Sequence, residues 1–179
     1  MSKRNLVGGV ARAAGALAAA LTVALVSPSA ALAEDTQPMY RLYNHNSGEH
    51  FYTASAGERA NLIGLGWSGE GVGWVAPAYS NTPVFRLYNA NGGDHHYTTS
   101  AGERGMLLSA GWQDEGIGWY SDDQMRVPLY RQYNPNARSG SHNYTASLQE
   151  NNNLVRAGWN AEGIGWYGVE GASAQEPSN

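Results

Sequence analysis

Hydrophobic and polar residues alternate over the YRLY stretch at residues 40–43, and FYT at residues 51–53 is a second short run of strand-forming residues. The segment between them, NHNSG, consists of turn-forming residues, and its Gly48 is able to take a positive φ. Two strand-forming runs separated by such a turn predict a β-hairpin.

A helix is predicted directly after this hairpin. Ser55 is followed three residues later by Glu58, which is the pattern of a capping box. In that motif the serine side chain accepts from the backbone amide of the glutamate, while the carboxylate reaches back to the serine amide. Leu62 and Ile63 supply an apolar side, and Gly66 is a suitable C-terminal stop. The expected helix has about ten residues.

The remainder of the unit, GWSGEGVGW at residues 66–74, is expected to be a second hairpin. If Glu70 and Gly71 form a two-residue turn, Trp67 lies opposite Trp74 on one face. The whole unit would then be hairpin, helix, hairpin.

This unit occurs three times, at residues 38–82, 83–127 and 128–171. The third copy carries Ala137 and Arg138 as an insertion, which places that segment in a surface loop. A single hairpin is marginally stable in water, so the copies are expected to share one core. About twelve strands in three copies predict one mainly β domain of β-trefoil type with pseudo-threefold symmetry, and a three-bladed ring is the alternative.

The chain is expected to begin with a secretory signal peptide at residues 1–33. A basic start, an uncharged apolar run and small residues before Ala33 form the pattern. An uncleaved anchor is the alternative. Residues 34–37 are then a short linker, 38–171 a single three-repeat domain, and 172–179 a disordered tail. The protein is predicted to be secreted and extracellular.

The mature chain is acidic, aromatic and free of cysteine. Removal of the signal leaves 146 residues with eight basic and fifteen acidic side chains. That negative charge repels phosphate backbones and anionic lipid, so we expect no binding to nucleic acid and no membrane insertion after signal cleavage. The absence of cysteine excludes disulfides. The six Trp and eleven Tyr therefore have to supply the packing.

The motif YRLYN…SGEHFYT…EGVGW, present over residues 38–167, resembles a repeat family of unknown function in secreted bacterial proteins. The resemblance implies an extracellular accessory module, often beside cell-wall-degrading or glycan-cleaving domains, with no activity assigned to it. The third copy departs from the pattern at Gln132 and Asn143.

Catalysis, metal and cofactor binding are not expected. The repeated Arg, His and Glu residues are suited to acid–base chemistry, but three copies would give three identical sites and no unique carboxylate pair. There is no HExxH or calcium-loop pattern. Asp122 and Asp123 are expected to be a solvated pair. The repeated residues assigned to a structural network are Arg41, Arg86, Arg131, Glu70, Glu115, Glu162, Trp67, Trp74, Trp112, Trp119, Trp159 and Trp166.

The leading functional hypothesis is a non-catalytic module that binds cell-surface or environmental glycans. Pyranose rings stack on aromatic side chains, and their hydroxyls need polar partners on the turns. The candidate contacts are Asn46, His50, Asn91, His95, Asn136 and His142, with Tyr43, Tyr88 and Tyr133 for stacking. The alternatives are a protein-interaction or protease-inhibitor-like domain and a small secreted hydrolase.

Overall fold

The computed structural model describes Met1 and residues 35–137 and 139–171. These last two ranges belong to one compact unit, Ala33–Asn179. Apart from Met1, the predicted signal peptide lies outside the described residues. So do the 172–179 tail and Arg138 of the predicted insertion.

Each repeat contributes three strands and one helix, in the order strand, strand, helix, strand. The first repeat comprises β1 (Thr36–Tyr43), β2 (His50–Thr53), α1 (Ala56–Gly64) and β3 (Ser68–Pro77). The second comprises β4 (Pro83–Asn89), β5 (Asp94–Thr98), α2 (Ala101–Ser109) and β6 (Gln113–Tyr120). The third comprises β7 (Val127–Tyr133), β8 (His142–Thr145), α3 (Leu148–Arg156) and β9 (Asn160–Gly168). The prediction of a mainly β protein with three short helices is confirmed.

The strands form three separate antiparallel sheets, ordered β2-β1-β3, β5-β4-β6 and β8-β7-β9. The first predicted hairpin is correct: β1 and β2 pair with Tyr43 opposite His50 and Arg41 opposite Tyr52. Within the two described ranges no sheet closes into a barrel, so the β-trefoil expectation is not confirmed.

The predicted second hairpin is wrong, because residues 68–77 form one continuous strand along β1. Leu42 lies opposite Gly69, whereas Tyr40 lies opposite Val72, so β3 carries one extra residue between the two pairs. This is a β-bulge, and Gly71 supplies its positive φ of 83°. The three repeats therefore contain nine named strands in the described residues rather than about twelve.

At the helix starts, only one of the two hydrogen bonds of the predicted capping box is formed. The backbone amide of Glu58 donates to Ser55 Oγ over 3.1 Å, and Ser100 and Ser147 cap their helices in the same way. The amide of Ser55, however, donates to Thr53 Oγ1 over 3.0 Å instead of to a carboxylate. The carboxylate of Glu58 is thereby left for another partner.

Trp74, Trp119 and Trp166 come together in the core, each from a different repeat. They are 1–5 % exposed, and their ring centroids lie 5.3–5.7 Å apart. Trp67 does not face Trp74; Trp74 lies opposite Met39 in the sheet. Trp67 is half-buried, 6.1 Å from the ring of Phe51. The core thus takes one tryptophan from each repeat, and Trp112 and Trp159 are half-buried like Trp67.

Three buried tyrosines form a second triangle, with ring centroids 5.6–5.8 Å apart. The hydroxyl of Tyr52 donates to the carbonyl oxygen of Tyr144, that of Tyr144 to Tyr97, and that of Tyr97 to Tyr52, over 3.0–3.5 Å. Burial raises the pKa of all three phenols, so the hydroxyls remain protonated donors. Every repeat is therefore hydrogen-bonded to both others.

The third repeat replaces an apolar pair by a polar one. Gln132 and Asn143 occupy the positions of Leu42 and Phe51, and both are fully buried. Asn143 Nδ2 donates to Gln132 Oε1 over 2.9 Å, and Gln132 Nε2 donates to Asn151 Oδ1 over 2.8 Å. Asn143 Oδ1 and the carbonyl oxygen of Tyr144 share the one hydroxyl proton of Tyr52, each over 3.1 Å. These bonds satisfy the two buried amides, which explains how the departure is tolerated.

In the part of the chain that the structure describes, none of the helices has the length and apolar character needed to cross a bilayer.

Candidate ligand-binding site

Each repeat places a tyrosine ring beside a histidine ring, because the two residues face each other across the first hairpin. The ring centroids are 4.8–5.2 Å apart and tilted by 35–40°. Each tyrosine is half-buried, and the histidine side chains are 15–16 % exposed. These Tyr–His pairs are Tyr43 with His50, Tyr88 with His95, and Tyr133 with His142.

An arginine beneath each pair bridges two carboxylates. Arg41 Nε lies 2.5 Å from Glu70 Oε2 on the same sheet. Its Nη1 lies 2.8 Å from Glu150 Oε1, which belongs to the helix of the third repeat. Arg41 and Glu70, assigned from the sequence to a structural network, are thus paired, and Arg41 has a second partner that the sequence did not indicate.

The same arrangement recurs in the other repeats and links them cyclically. The helix-start glutamate of each repeat contacts the arginine of another, and the strand glutamate contacts the arginine of its own repeat. We call the inter-repeat set the Arg–Glu cycle. It comprises Arg41–Glu150, Arg86–Glu58 and Arg131–Glu103, at 2.8–3.0 Å, and the intra-repeat partners of Arg86 and Arg131 are Glu115 and Glu162.

The histidine of each pair also lies against the strand glutamate, with Nε2 3.3–3.5 Å from its carboxylate. Burial, and then the charge of Arg41, lowers the pKa of His50 to about 4 despite the opposing pull of Glu70 and Glu150. Burial, and then His96, lowers the pKa of His142 to about 4. Both rings are neutral near pH 7.

Two carboxylates of the Arg–Glu cycle, those of Glu103 and Glu150, have lowered pKa values and are held in the ionised form. The hydrogen bond with His96, then that with Arg131, lowers the pKa of Glu103 far below its ordinary range. Burial acts to raise the pKa of Glu150, but hydrogen bonds with Arg41 and Thr145 lower it overall. A general acid needs a pKa near the working pH, so these groups are poorly placed for proton donation.

The candidate asparagines are more exposed than the Tyr–His pairs. Asn46, Asn91 and Asn136 are exposed at the hairpin turns. Their backbone amides donate to the side-chain oxygens of Asn44, Asn89 and Asn134 over 2.9–3.0 Å. The sequence-derived set therefore divides into a half-buried Tyr–His pair and an exposed turn residue.

Glu49, at the end of the first hairpin turn, is buried. Glu49 has a side chain that is 3 % exposed and accepts from the backbone amide of His95 over 3.1 Å. His95 Nδ1 lies 2.6 Å from the same carboxylate. The two hairpins are thus joined at their turns, which no local sequence pattern signals.

Residues 38–169 match a family described as Domain of unknown function (DUF5648). The chain belongs to this family. No curated protein and no solved structure matches the chain.

This DUF5648 chain has one feature that the repeat pattern did not predict. A cavity of about 330 Å³ lies where the second and third repeats meet. Thr99, Asp123 and Trp166 of these repeats line it, together with Thr82 at the end of the first. Asp122 also lines it and is buried, with Arg126 Nε donating to its carboxylate over 2.7 Å. The expectation of a solvated Asp122–Asp123 pair is therefore wrong for Asp122.

Within the described ranges, no group of three or more His, Cys, Asp or Glu side chains is arranged to hold a metal ion.

We expect Arg131→Met to lower the free energy of unfolding by about 2–4 kcal/mol, because Glu103 and Glu162 lose their shared partner. Because the Arg131 side chain is only 20 % exposed, water can replace only part of the lost interaction with the two carboxylates. Arg156→Met, on the exposed face of α3, is the control and should change stability by less than about 0.5 kcal/mol. Urea unfolding followed by circular dichroism measures both, and equal effects would contradict the structural role of the Arg–Glu cycle.

Proposed function

We propose that this protein is a secreted, non-catalytic binding module that recognises glycans of cell surfaces or of the environment. The observation that carries the proposal is the half-buried Tyr–His pair, present three times and bordered each time by a carboxylate and an exposed turn asparagine.

The chemistry of one cluster suits a sugar ring. The face of Tyr43 offers an apolar surface to pyranose C–H groups. The Glu70 carboxylate, 33 % exposed, accepts hydrogen bonds from hydroxyls, and the amide of Asn46 both donates and accepts. His50 is neutral near pH 7, so it adds no charge that a neutral glycan would have to compensate.

The charge state of the carboxylates argues against the hydrolase alternative. Hydrolysis of a glycoside needs one carboxylic acid whose pKa is raised, opposite a second carboxylate. Glu103 and Glu150 instead have lowered pKa values and are held by arginine. The clusters are better suited to binding than to turnover.

Three similar sites on one domain favour multivalent binding. Single lectin-like sites have dissociation constants from millimolar to micromolar, which is roughly −4 to −8 kcal/mol. Simultaneous contacts with a polysaccharide raise the overall affinity without any new contact. The third site should differ in preference, because Ala137 and Arg138 extend its turn.

The test is binding to insoluble cell-wall and plant polysaccharides by the wild type and by a Tyr43/Tyr88/Tyr133→Leu variant. Replacing these rings should weaken binding at least about tenfold, since stacking of a sugar ring on tyrosine is lost at all three sites together. Tyr40/Tyr130→Leu is the matched control, because these tyrosines lie on the opposite face of their strands.

Two results would count against this proposal. If the folded triple variant binds like the wild type, the site is wrong. If the wild type binds no glycan, the function is wrong.

The protein-interaction alternative is favoured by the helices. None of the three has a buried residue, and each exposes large apolar side chains. Leu65 is 78 % exposed and Met106 is 69 % exposed. A protein captured specifically from culture medium, with capture lost in Leu65→Ser/Met106→Ser, would favour this alternative.

For the arrangement of the repeats we propose a three-bladed ring with pseudo-threefold symmetry. The cyclic contacts of the tryptophans, the tyrosines and the Arg–Glu cycle support it. A β-trefoil would require strands shared in a barrel.

A further inference from the structure

The cavity where the second and third repeats meet contains none of the residues of the Tyr–His pairs, and we call it the seam pocket. Its volume of about 330 Å³ is in the range of small-ligand sites. We propose that the seam pocket binds a single neutral sugar residue. The inference rests on the proposed glycan-binding function and adds to it a site that none of the three clusters includes.

The first observation is a buried donor without an acceptor. Trp166 lines the seam pocket and is 2 % exposed, and its indole N–H has no hydrogen-bond partner among the described residues. Buried N–H groups are almost always paired, so an acceptor oxygen from a ligand would satisfy this one. The indoles of Trp74 and Trp119 lack partners too, but neither residue lines the seam pocket.

The second observation is that the repeats depart from one another at this cavity. Thr99 lines the seam pocket, whereas the same position holds Ala54 and Ala146 in the other repeats. Ser121 also lines it, and the corresponding residues are Ala76 and Gly168. Thr99 Oγ1 donates to the carbonyl oxygen of Gly165 over 3.4 Å, and Ser121 Oγ accepts from the amide of Tyr167 over 3.1 Å. The two departures thus hold the second and third repeats together here, and the Ser121 hydroxyl keeps its own proton to donate to a ligand.

The rim of the seam pocket selects for a neutral hydroxylated ligand. Asp123 Oδ1 accepts from Thr82 Oγ1 over 2.7 Å, and Oδ2 accepts from the amide of Asn81 over 3.0 Å. The hydrogen bond from the Asn81 backbone lowers the pKa of Asp123, so the exposed carboxylate is ionised near pH 7. An ionised carboxylate accepts from a sugar hydroxyl and repels a phosphate or an acidic sugar.

The apolar part of the seam pocket includes a strained residue. Met125 has φ 56°, the one non-glycine residue with positive φ among those described. Its side chain is exposed even though it is apolar. Strained residues cluster at ligand sites, and a flexible thioether at the rim is suited to pack against sugar C–H groups.

The test uses methyl glycosides of glucose, galactose, mannose and N-acetylglucosamine with the full protein, followed by saturation-transfer NMR and titration calorimetry. Trp166→Phe removes the N–H but keeps a ring, and binding should weaken about tenfold through loss of one hydrogen bond. Trp119→Phe is the matched control, since it loses an equivalent unpartnered N–H outside the seam pocket. It should bind like the wild type.

Thr99→Ala guards against misfolding, because the other two repeats carry alanine at that position. It should weaken monosaccharide binding while unfolding remains a single cooperative transition, because only the long bond from Thr99 Oγ1 to the carbonyl oxygen of Gly165 is lost.

The outcomes separate this inference from the proposed function. If monosaccharides bind the wild type, and Trp166→Phe and Thr99→Ala bind equally well, the inference is overturned. The glycan function would then stand on the Tyr–His clusters. If the wild type binds polysaccharide but no monosaccharide, the inference fails alone. If it binds no glycan of any size, both fail.

Discussion

Trp119→Ala should lower the free energy of unfolding by about 3–5 kcal/mol, the range for removing a large buried aromatic side chain. Trp119 is 1 % exposed, and its ring lies 5.0–5.5 Å from those of Tyr97, Trp74 and Trp166. The cavity would therefore open where all three repeats meet. Guanidinium unfolding followed by far-ultraviolet circular dichroism measures the change, as a single transition that is shifted as a whole.

The matched control is Trp112→Ala, from the same repeat. Trp112 is half-buried, and its ring lies 6.1 Å from that of His96. Its loss should have an effect of only about 1–2 kcal/mol. Equal losses for the two variants, or a biphasic transition for Trp119→Ala, would contradict a core shared by the three repeats.

Acidification from pH 7 to pH 5 should destabilise the fold by about 4 kcal/mol, with about 2 kcal/mol from each of His50 and His142. Their pKa values are lowered to about 4 in the folded state, against about 6.5 in the unfolded chain. The unfolded state therefore binds more protons in this window. The contribution is fully present above pH 6.5 and is lost as the pH falls toward 4.

Carboxylates ordinarily titrate near pH 4 and histidines near pH 6.5, so the window from pH 7 to pH 5 reports mainly on histidines. The measurement is the free energy of unfolding in urea at several pH values. His50→Asn/His142→Asn should flatten the dependence, whereas His45→Asn, at an exposed turn position, should leave the slope as it is. A slope that persists in the double variant would assign the acid response to other groups.

Local features of this fold were predictable from sequence. The hairpin at residues 40–53 depends on a short turn, and the Ser55 cap depends on residues three apart. The error at Glu70 and Gly71 has a physical cause: a turn and a β-bulge both use a glycine with positive φ. Which of the two forms depends on whether a neighbouring strand is available, and β1 is far away in the sequence.

The candidate site was predictable only in part, for the same reason. Facing positions in a hairpin bring Tyr43 to His50, and the alternation pattern indicates this. The choice of Glu150 as the partner of Arg41 depends on how the first and third repeats pack. A pairing that spans most of the domain leaves no signal in any one copy. The only sequence sign of the seam pocket is that Thr99 and Ser121 are polar where the other two repeats have alanine or glycine.

The Arg–Glu cycle also has a consequence for how such a chain can change its length. In an open array each added copy finds a free end, so duplication and loss of single copies are both tolerated. Here Glu150 of the last copy contacts Arg41 of the first, and Val75 pairs with Val169 across the same junction. A fourth copy would have to break those contacts before making its own. Growth by recombination is therefore expected in steps of whole three-copy domains, each added as a separate body along the chain.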